Sequence, residues 1–298
     1  AGNDSMEKIY SHFQAWTEYD KYSVIEQRRP DCNFQAALLF LLASEEFKRR
    51  RYRVIAENIL DFLYFRSGLL VRFSPDQSLV GTWGWSHVLK TVWFDDNAWN
   101  CLIQLLVSAN YPELERKYGM KEWALTLADN MAAAFMSHFQ APKEFRPVWL
   151  GNLNLPHWGS LACMAMAKAY GASRRPALKE AVDIYHKFLE ANVDSFIASE
   201  LAYAAIGSGI CYSVFKDDKF RSLASCFGDK LASRMDTATG NITAEHYEAP
   251  VGKHLADTIY TMNWALMGFQ ILAGITGEGK YRGAFLKILD LMLRIQDR

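Results

Sequence analysis

The chain has 298 residues, 50% of them hydrophobic and 22% charged, with Lys plus Arg equal to Asp plus Glu at 33 each. That length buries a large core, as one big domain or two small ones, and the balance excludes a disordered protein. Zero net charge leaves no basic field for nucleic acid, Arg49-Arg50-Arg51 is too short to supply one, and no apolar run reaches membrane-spanning length.

A first helix is expected over residues 6–22. Residues 34–43 are then apolar nearly all round, and Tyr52, Ile55, Ala56, Ile59 and Leu63 follow at the spacing of one helix face. The pairing of an apolar run with an amphipathic one recurs. Residues 96–109 precede 123–139, residues 159–170 precede 178–191, residues 201–215 precede Phe220, Leu223, Ala224, Phe227 and Leu231, and residues 262–275 precede Tyr281, Ala284, Phe285, Ile288 and Met292. Gly, Pro and charged residues mark the short connectors, as in Gly171-Ala172-Ser173-Arg174-Arg175-Pro176 and Gly277-Glu278-Gly279-Lys280.

A helix apolar all round is buried, and one with a single apolar stripe lies outside it. Five such pairs predict an all-α fold, an (α/α) toroid of about five to six helical hairpins, with the apolar helices as the inner ring. An α-solenoid with the same pairing and no closure is the alternative. With residues 6–22 the count is eleven helices where six hairpins need twelve. The expectation is therefore one domain over residues 1–298, an open toroid or a piece of a longer protein cut one helix short. Residues 207–209, Gly-Ser-Gly, interrupt an apolar helix without following a strand, and predict close helix packing rather than phosphate binding.

Three connectors are long: residues 67–94, 141–157 and 236–257. All lead from an outer helix into an inner one, so they are expected at one mouth, lining the main pocket. They carry the unusual chemistry. Candidate substrate-binding residues are Trp83, Trp85, His87, Trp93, Trp99, Trp149, Asn152, Asn154, His157, Trp158, His246, Tyr247 and Glu248. Flat aromatic bodies with polar edges suit pyranose rings.

The densest chemistry is Trp93-Phe94-Asp95-Asp96-Asn97-Ala98-Trp99-Asn100, two adjacent carboxylates between aromatics at the start of an apolar helix. Paired carboxyls are the minimal equipment for glycosidic bond cleavage. Capping also explains them: with Asp95 as N-cap, Phe94 and Trp99 take the hydrophobic-staple positions, and an acid in the first turn favours the helix dipole. Four tryptophans around one helix start exceed what a cap requires.

This stretch resembles the aromatic-Asp-Asp signature of the (α/α)6 endo-α-1,6-mannanase family of glycoside hydrolases, which also begins an inner helix. The resemblance rests on the short motif and on the hairpin pattern over most of the chain; related six-hairpin glycosidases and epimerases start inner helices with Asp-Asn. It implies Asp95 as nucleophile, Asp96 as acid/base, a polysaccharide or oligosaccharide partner, no cofactor, and a periplasmic or secreted location. Carboxyl groups about 5–5.5 Å apart give retention and about 6.5–9.5 Å inversion.

Asn152, Asn154, His157 and Trp158 loosely look like the Asn/His/Trp stretches of toroid polysaccharide lyases, with Tyr247 as a second proton carrier. Turn-making asparagines and a helix-start histidine are the plainer account. A non-catalytic carbohydrate-binding domain is the third reading. Glu245-His246-Tyr247-Glu248 with Lys253-His254 reads as a polar surface or a binder of sugar hydroxyls, and no metal-ligand spacing occurs. The cysteines Cys32, Cys101, Cys163, Cys211 and Cys226 are odd in number and mostly sit in apolar runs as small hydrophobes, leaving a cytoplasmic location open.

Overall fold

In a computed structural model of the chain, the described residues are 6–8, 24–26, 28–86, 90–141, 149–243 and 256–296. Among them are eleven α-helices, and the sole sheet is a short antiparallel pair, β1 (Met6–Lys8) with β2 (Val24–Glu26). Strand β1 corrects the helix expected over residues 6–22, at least at its start. Val24 and Ile25 are β-branched and favour extended backbone, and β1 takes their ladder bonds. His87, His246, Tyr247 and Glu248 lie outside the described residues.

The chain divides into two compact units, one of residues 1–130 with 147–150, the other of residues 131–146 with 151–298. The first holds α1 (Pro30–Phe47), α2 (Arg50–Asp61), α3 (Phe94–Asn110), α4 (Pro112–Tyr118) and the first half of α5 (Met120–Gln140). Helix α1 packs on both α2 and α3. Its centre is aromatic: the Trp83 ring meets Phe34 edge-on at 5.0 Å and Tyr64 at 5.3 Å, and Tyr64 stacks on Tyr118 at 4.9 Å. Each such ring contributes about 1.5–3 kcal/mol by burial, and the edge-on geometry adds to it. Helix α4 was not expected. Pro112 at its first position and Gly119 in the left-handed region just beyond it are start and stop signals that its length of seven residues concealed.

The second unit continues the alternation with α6 (Pro156–Ser173), α7 (Pro176–Ala191), α8 (Ala198–Phe215), α9 (Asp218–Ser233), α10 (Met262–Thr276) and α11 (Gly279–Ile295). Helices α6, α8 and α10 pack side by side, and α7, α9 and α11 each cover the helix before them. The predicted contrast holds where it is sharpest: α8 buries thirteen of its eighteen residues and α9 five of sixteen, so the first is core and the second cover. Helices α1 and α10 depart from it. Each buries a single stripe, with Leu39 and Leu42 of α1 well exposed. Within its unit each has one apolar neighbour, α3 or α8, whereas α8 lies between two.

Glycines in α8 set the spacing of that row. A Cβ on Gly207 would fall 2.8 Å from the Ser160 Cβ of α6, and one on Gly209 would fall 2.5 Å from an Ile271 methyl of α10. The two residues thus face opposite neighbours and let both close in, as the Gly-Ser-Gly interruption suggested. Gly207→Ala is expected to cost about 1–3 kcal/mol by overpacking. Urea unfolding checks this, with a lower midpoint at unchanged slope as the expected result.

The long connectors also pair. Leu150 donates its N–H to the Val92 carbonyl at 2.7 Å and accepts from the Phe94 N–H at 3.1 Å, so the second connector is clipped to the end of the first by a parallel bridge opposite Trp93. In the second unit, Met235 bridges Ile242 at the start of the third connector, and Thr243 bridges Ala256 within it.

Candidate functional site

The bridge to Leu150 decides how α3 begins. Its N-cap is Trp93, not Asp95, and no side chain caps it. The Phe94 N–H, one of the donors that a helix start leaves over, is satisfied by the Leu150 carbonyl. Asp95 and Asp96 therefore stand at the second and third helical positions, and Phe94 and Trp99 no longer occupy the two positions of the expected staple. Phe94 stacks on Trp149 at 4.9 Å. Asn97 fixes the first connector beneath this turn. Its amide oxygen accepts from the Trp83 N–H at 2.8 Å, and its amide nitrogen donates to the Trp83 and Trp93 carbonyls at 3.0 and 2.9 Å.

Asp96 is 6% exposed and faces Arg29, the residue that precedes α1. Arg29 Nη2 donates to Asp96 Oδ1 at 2.8 Å and to Asp31 Oδ2 at 2.8 Å, while Arg29 Nε donates to Asp31 Oδ1 at 3.2 Å. The guanidinium lies 5.3 Å from the Trp85 ring, and Asn33 holds the Arg29 carbonyl at 2.7 Å. Burial first, then the Asp31 and Asp95 carboxylates, push the Asp96 carboxyl up to about 8 against the pull of Arg29. A carboxyl pushed up in this way is suited to hold a proton near neutral pH, as a general acid must. One and two turns further along α3, the buried Asn100 and Gln104 extend this polar face, and Tyr64 donates to Gln104 at 2.7 Å.

The candidate aromatics separate by burial. Trp83 is fully buried and Trp149 is 3% exposed, so both are core residues and not platforms for a sugar, a correction to the sequence reading. Trp85, Trp93 and Trp99 keep partial exposure near the carboxylates along the chain.

A second constellation lies in the other unit, at the starts of α6 and α8. The His157 N–H donates to the buried Glu200 carboxylate at 2.6 Å, which satisfies an orphan donor of α6 with an anion. The His157 ring lies parallel to Tyr203 at 5.0 Å and 12°, and Tyr203 packs on Trp264 at 4.5 Å. Tyr260, in the turn just before α10, stands 6.3 Å from His157. Asn152 accepts from the Asn154 N–H at 3.0 Å, and Asn154 Oδ1 meets His138 Nε2 at 3.0 Å, so both asparagines make local structure. Gly151 has φ of 112°, and a Cβ there would fall 2.5 Å from Trp158, which makes glycine obligatory under that ring.

Sequence reasoning missed Arg29, Asp31, Glu200, Tyr203 and Trp264. A groove of about 810 Å³ between α7 and α9, with Asp183, His186, Lys219, Phe220 and Cys226 among its lining, holds none of the candidate residues. Among the described residues no group of three or more His, Cys, Asp and Glu is arranged to hold a metal ion, and no helix is long and apolar enough to cross a membrane. None of the five cysteines is joined in a disulfide among the described residues.

No protein-family model and no curated protein sequence matches the chain. Solved structures do. The chain is similar to a cellobiose 2-epimerase from Bacillus thermoamylovorans, with a TM-score of 0.64 and 13% identity over 94% of this chain and 80% of that one. It is similar to a D-mannose isomerase, with a TM-score of 0.62 and 12% identity over 90% and 76%. It is also similar to a GH76 α-mannanase from Bacteroides thetaiotaomicron, with a TM-score of 0.55 and 10% identity over 88% and 72%. These are sugar-processing enzymes, and the fold they share with this chain is the all-α (α/α) toroid.

Proposed function

We propose that the chain is a glycoside hydrolase that cleaves an α-linked, mannan-like polysaccharide, with residues 1–298 acting as one domain. The observation that carries the reading is the Asp95–Asp96 pair at a helix start that no side chain caps, with the buried Asp96 carboxyl held by Arg29 at 2.8 Å and pushed above the usual carboxylate range. In this reading Asp95 attacks the anomeric carbon while Asp96 gives its proton to the departing glycosidic oxygen. Asp96, now a carboxylate, takes a proton from water as that water displaces Asp95, and both carboxyls return to their starting states. Trp85, Trp93 and Trp99 are the aromatics left for sugar faces.

Sugar epimerisation is the second reading, favoured by the epimerase and the isomerase among the similar structures and by His157 within its aromatic cluster. An imidazole base there would move the proton next to the carbonyl of an open-chain sugar. The two differ in product. Incubation with a panel of α-linked polysaccharides should release new reducing ends, with no absorbance growing near 235 nm. Growth at that wavelength would mark the unsaturated product of a lyase. A change confined to free sugars, with polymers untouched, would favour epimerisation.

A further inference from the structure

We propose that Arg29 and Asp31 form a fixed counter-ion unit that selects which Asp96 oxygen carries the acid proton and keeps that proton in place. Resting on the hydrolase reading above, this makes both of them positioning residues for the proton-transfer step.

The geometry is directional. A guanidinium only donates, so the Asp96 oxygen facing Arg29 Nη2 at 2.8 Å must offer a lone pair. A proton on Asp96 therefore sits on Oδ2, the oxygen left for a leaving group. The grip on Asp31 is two-pronged, Nε to Oδ1 and Nη2 to Oδ2, whereas the grip on Asp96 is a single bond from the shared Nη2. Fork-to-fork pairing is the stronger of the two arrangements, so the cation is balanced chiefly by Asp31. Asp96 gains a fixed orientation without gaining a full counter-charge. Among the described residues the charged groups around Asp96 are Arg29 ahead of α1, Asp31 in its first turn and Asp95 beside it on α3, and all three are in place. Trp85 against the guanidinium and Asn33 on the Arg29 carbonyl hold the fork still.

The consequence is a pair of opposite shifts that packing alone does not produce. Asp31→Asn hands the guanidinium to Asp96 and removes a nearby negative charge. The Asp96 titration midpoint should fall by about one pH unit or more. Arg29→Gln removes the cation, and the midpoint should rise. Carbon-13 NMR of aspartate-labelled protein reads this directly, with the Asp96 signal assigned by its loss in Asp96→Asn and folding checked by circular dichroism. Both shifts with these signs support the unit. A midpoint unmoved in Asp31→Asn, or a fall in Arg29→Gln, overturns it. Should Asp31→Asn fail to fold, Arg29→Gln carries the test alone. Because the readout is titration, an inactive chain with both shifts intact sinks the hydrolase reading alone. An active chain with neither shift sinks this inference alone.

Discussion

Asp96→Asn should lower glycan cleavage by about 10²–10⁴-fold, the usual contribution of a general acid, while the helical fold persists. Asparagine keeps the side-chain shape, and its carbonyl oxygen still accepts from Arg29 Nη2, the contact made at 2.8 Å in the native chain. What it lacks is a proton to give. Asp95→Asn should be as inactive for a different reason, the loss of the nucleophile. It should also fold normally, because the N-cap of α3 is Trp93 and no capping bond is lost. Steady-state assays on the polysaccharide identified by the panel, with thermal melts alongside, check both variants. Full cleavage by either one would return that carboxylate to a structural role.

The same substitution should stabilise the protein as pH rises. Folding pushes the Asp96 carboxyl up to about 8, whereas an unfolded aspartate titrates at about 3.9. Between those values the folded state holds a proton that the unfolded state has released. Native stability from this group is thus fully present below about pH 4 and is lost as pH rises through about 8, at up to about 1.4 kcal/mol per pH unit. Asparagine has no such dependence. Asp96→Asn should match the native chain near pH 4 and exceed it by up to about 4 kcal/mol at pH 7. Urea unfolding at pH values from 4 to 8 measures the gap. Parallel curves would mean that Asp96 is ionised in the fold, which removes the acid from the mechanism.

The helical frame was legible because period 3.6 is written locally. Phe220, Leu223, Ala224, Phe227 and Leu231 mark the face of α9 without knowledge of what it covers. The site was legible only in part, since its decisive contacts are remote in sequence. Arg29 reaches Asp96 across 67 positions, and nothing near the Arg28-Arg29-Pro30 run announces that pairing. The same holds for the bridge from Leu150, which moved the start of α3 and released Asp95 from the cap that local rules assigned to it. Trp83 and Trp149 were read as sugar platforms because composition counts rings without saying which way they face; both went into the core. Glu200 and Tyr203 were hidden just before and within a run read as uniformly apolar. Helix α4 was missed for its brevity, although Pro112 and Gly119 frame it.

Hydrolysis of a glycosidic bond by the carboxylates at the start of α3 is the proposed activity. Its most direct test is one chromatographic comparison, of an α-linked mannan and of free mannose, each incubated with the native protein and with Asp96→Asn. Hydrolysis should yield shorter oligosaccharides from the mannan with the native protein, none with the variant, and unchanged mannose in both. Intact mannan together with conversion of mannose to another hexose would contradict it, and would move the chemistry to the epimerase reading.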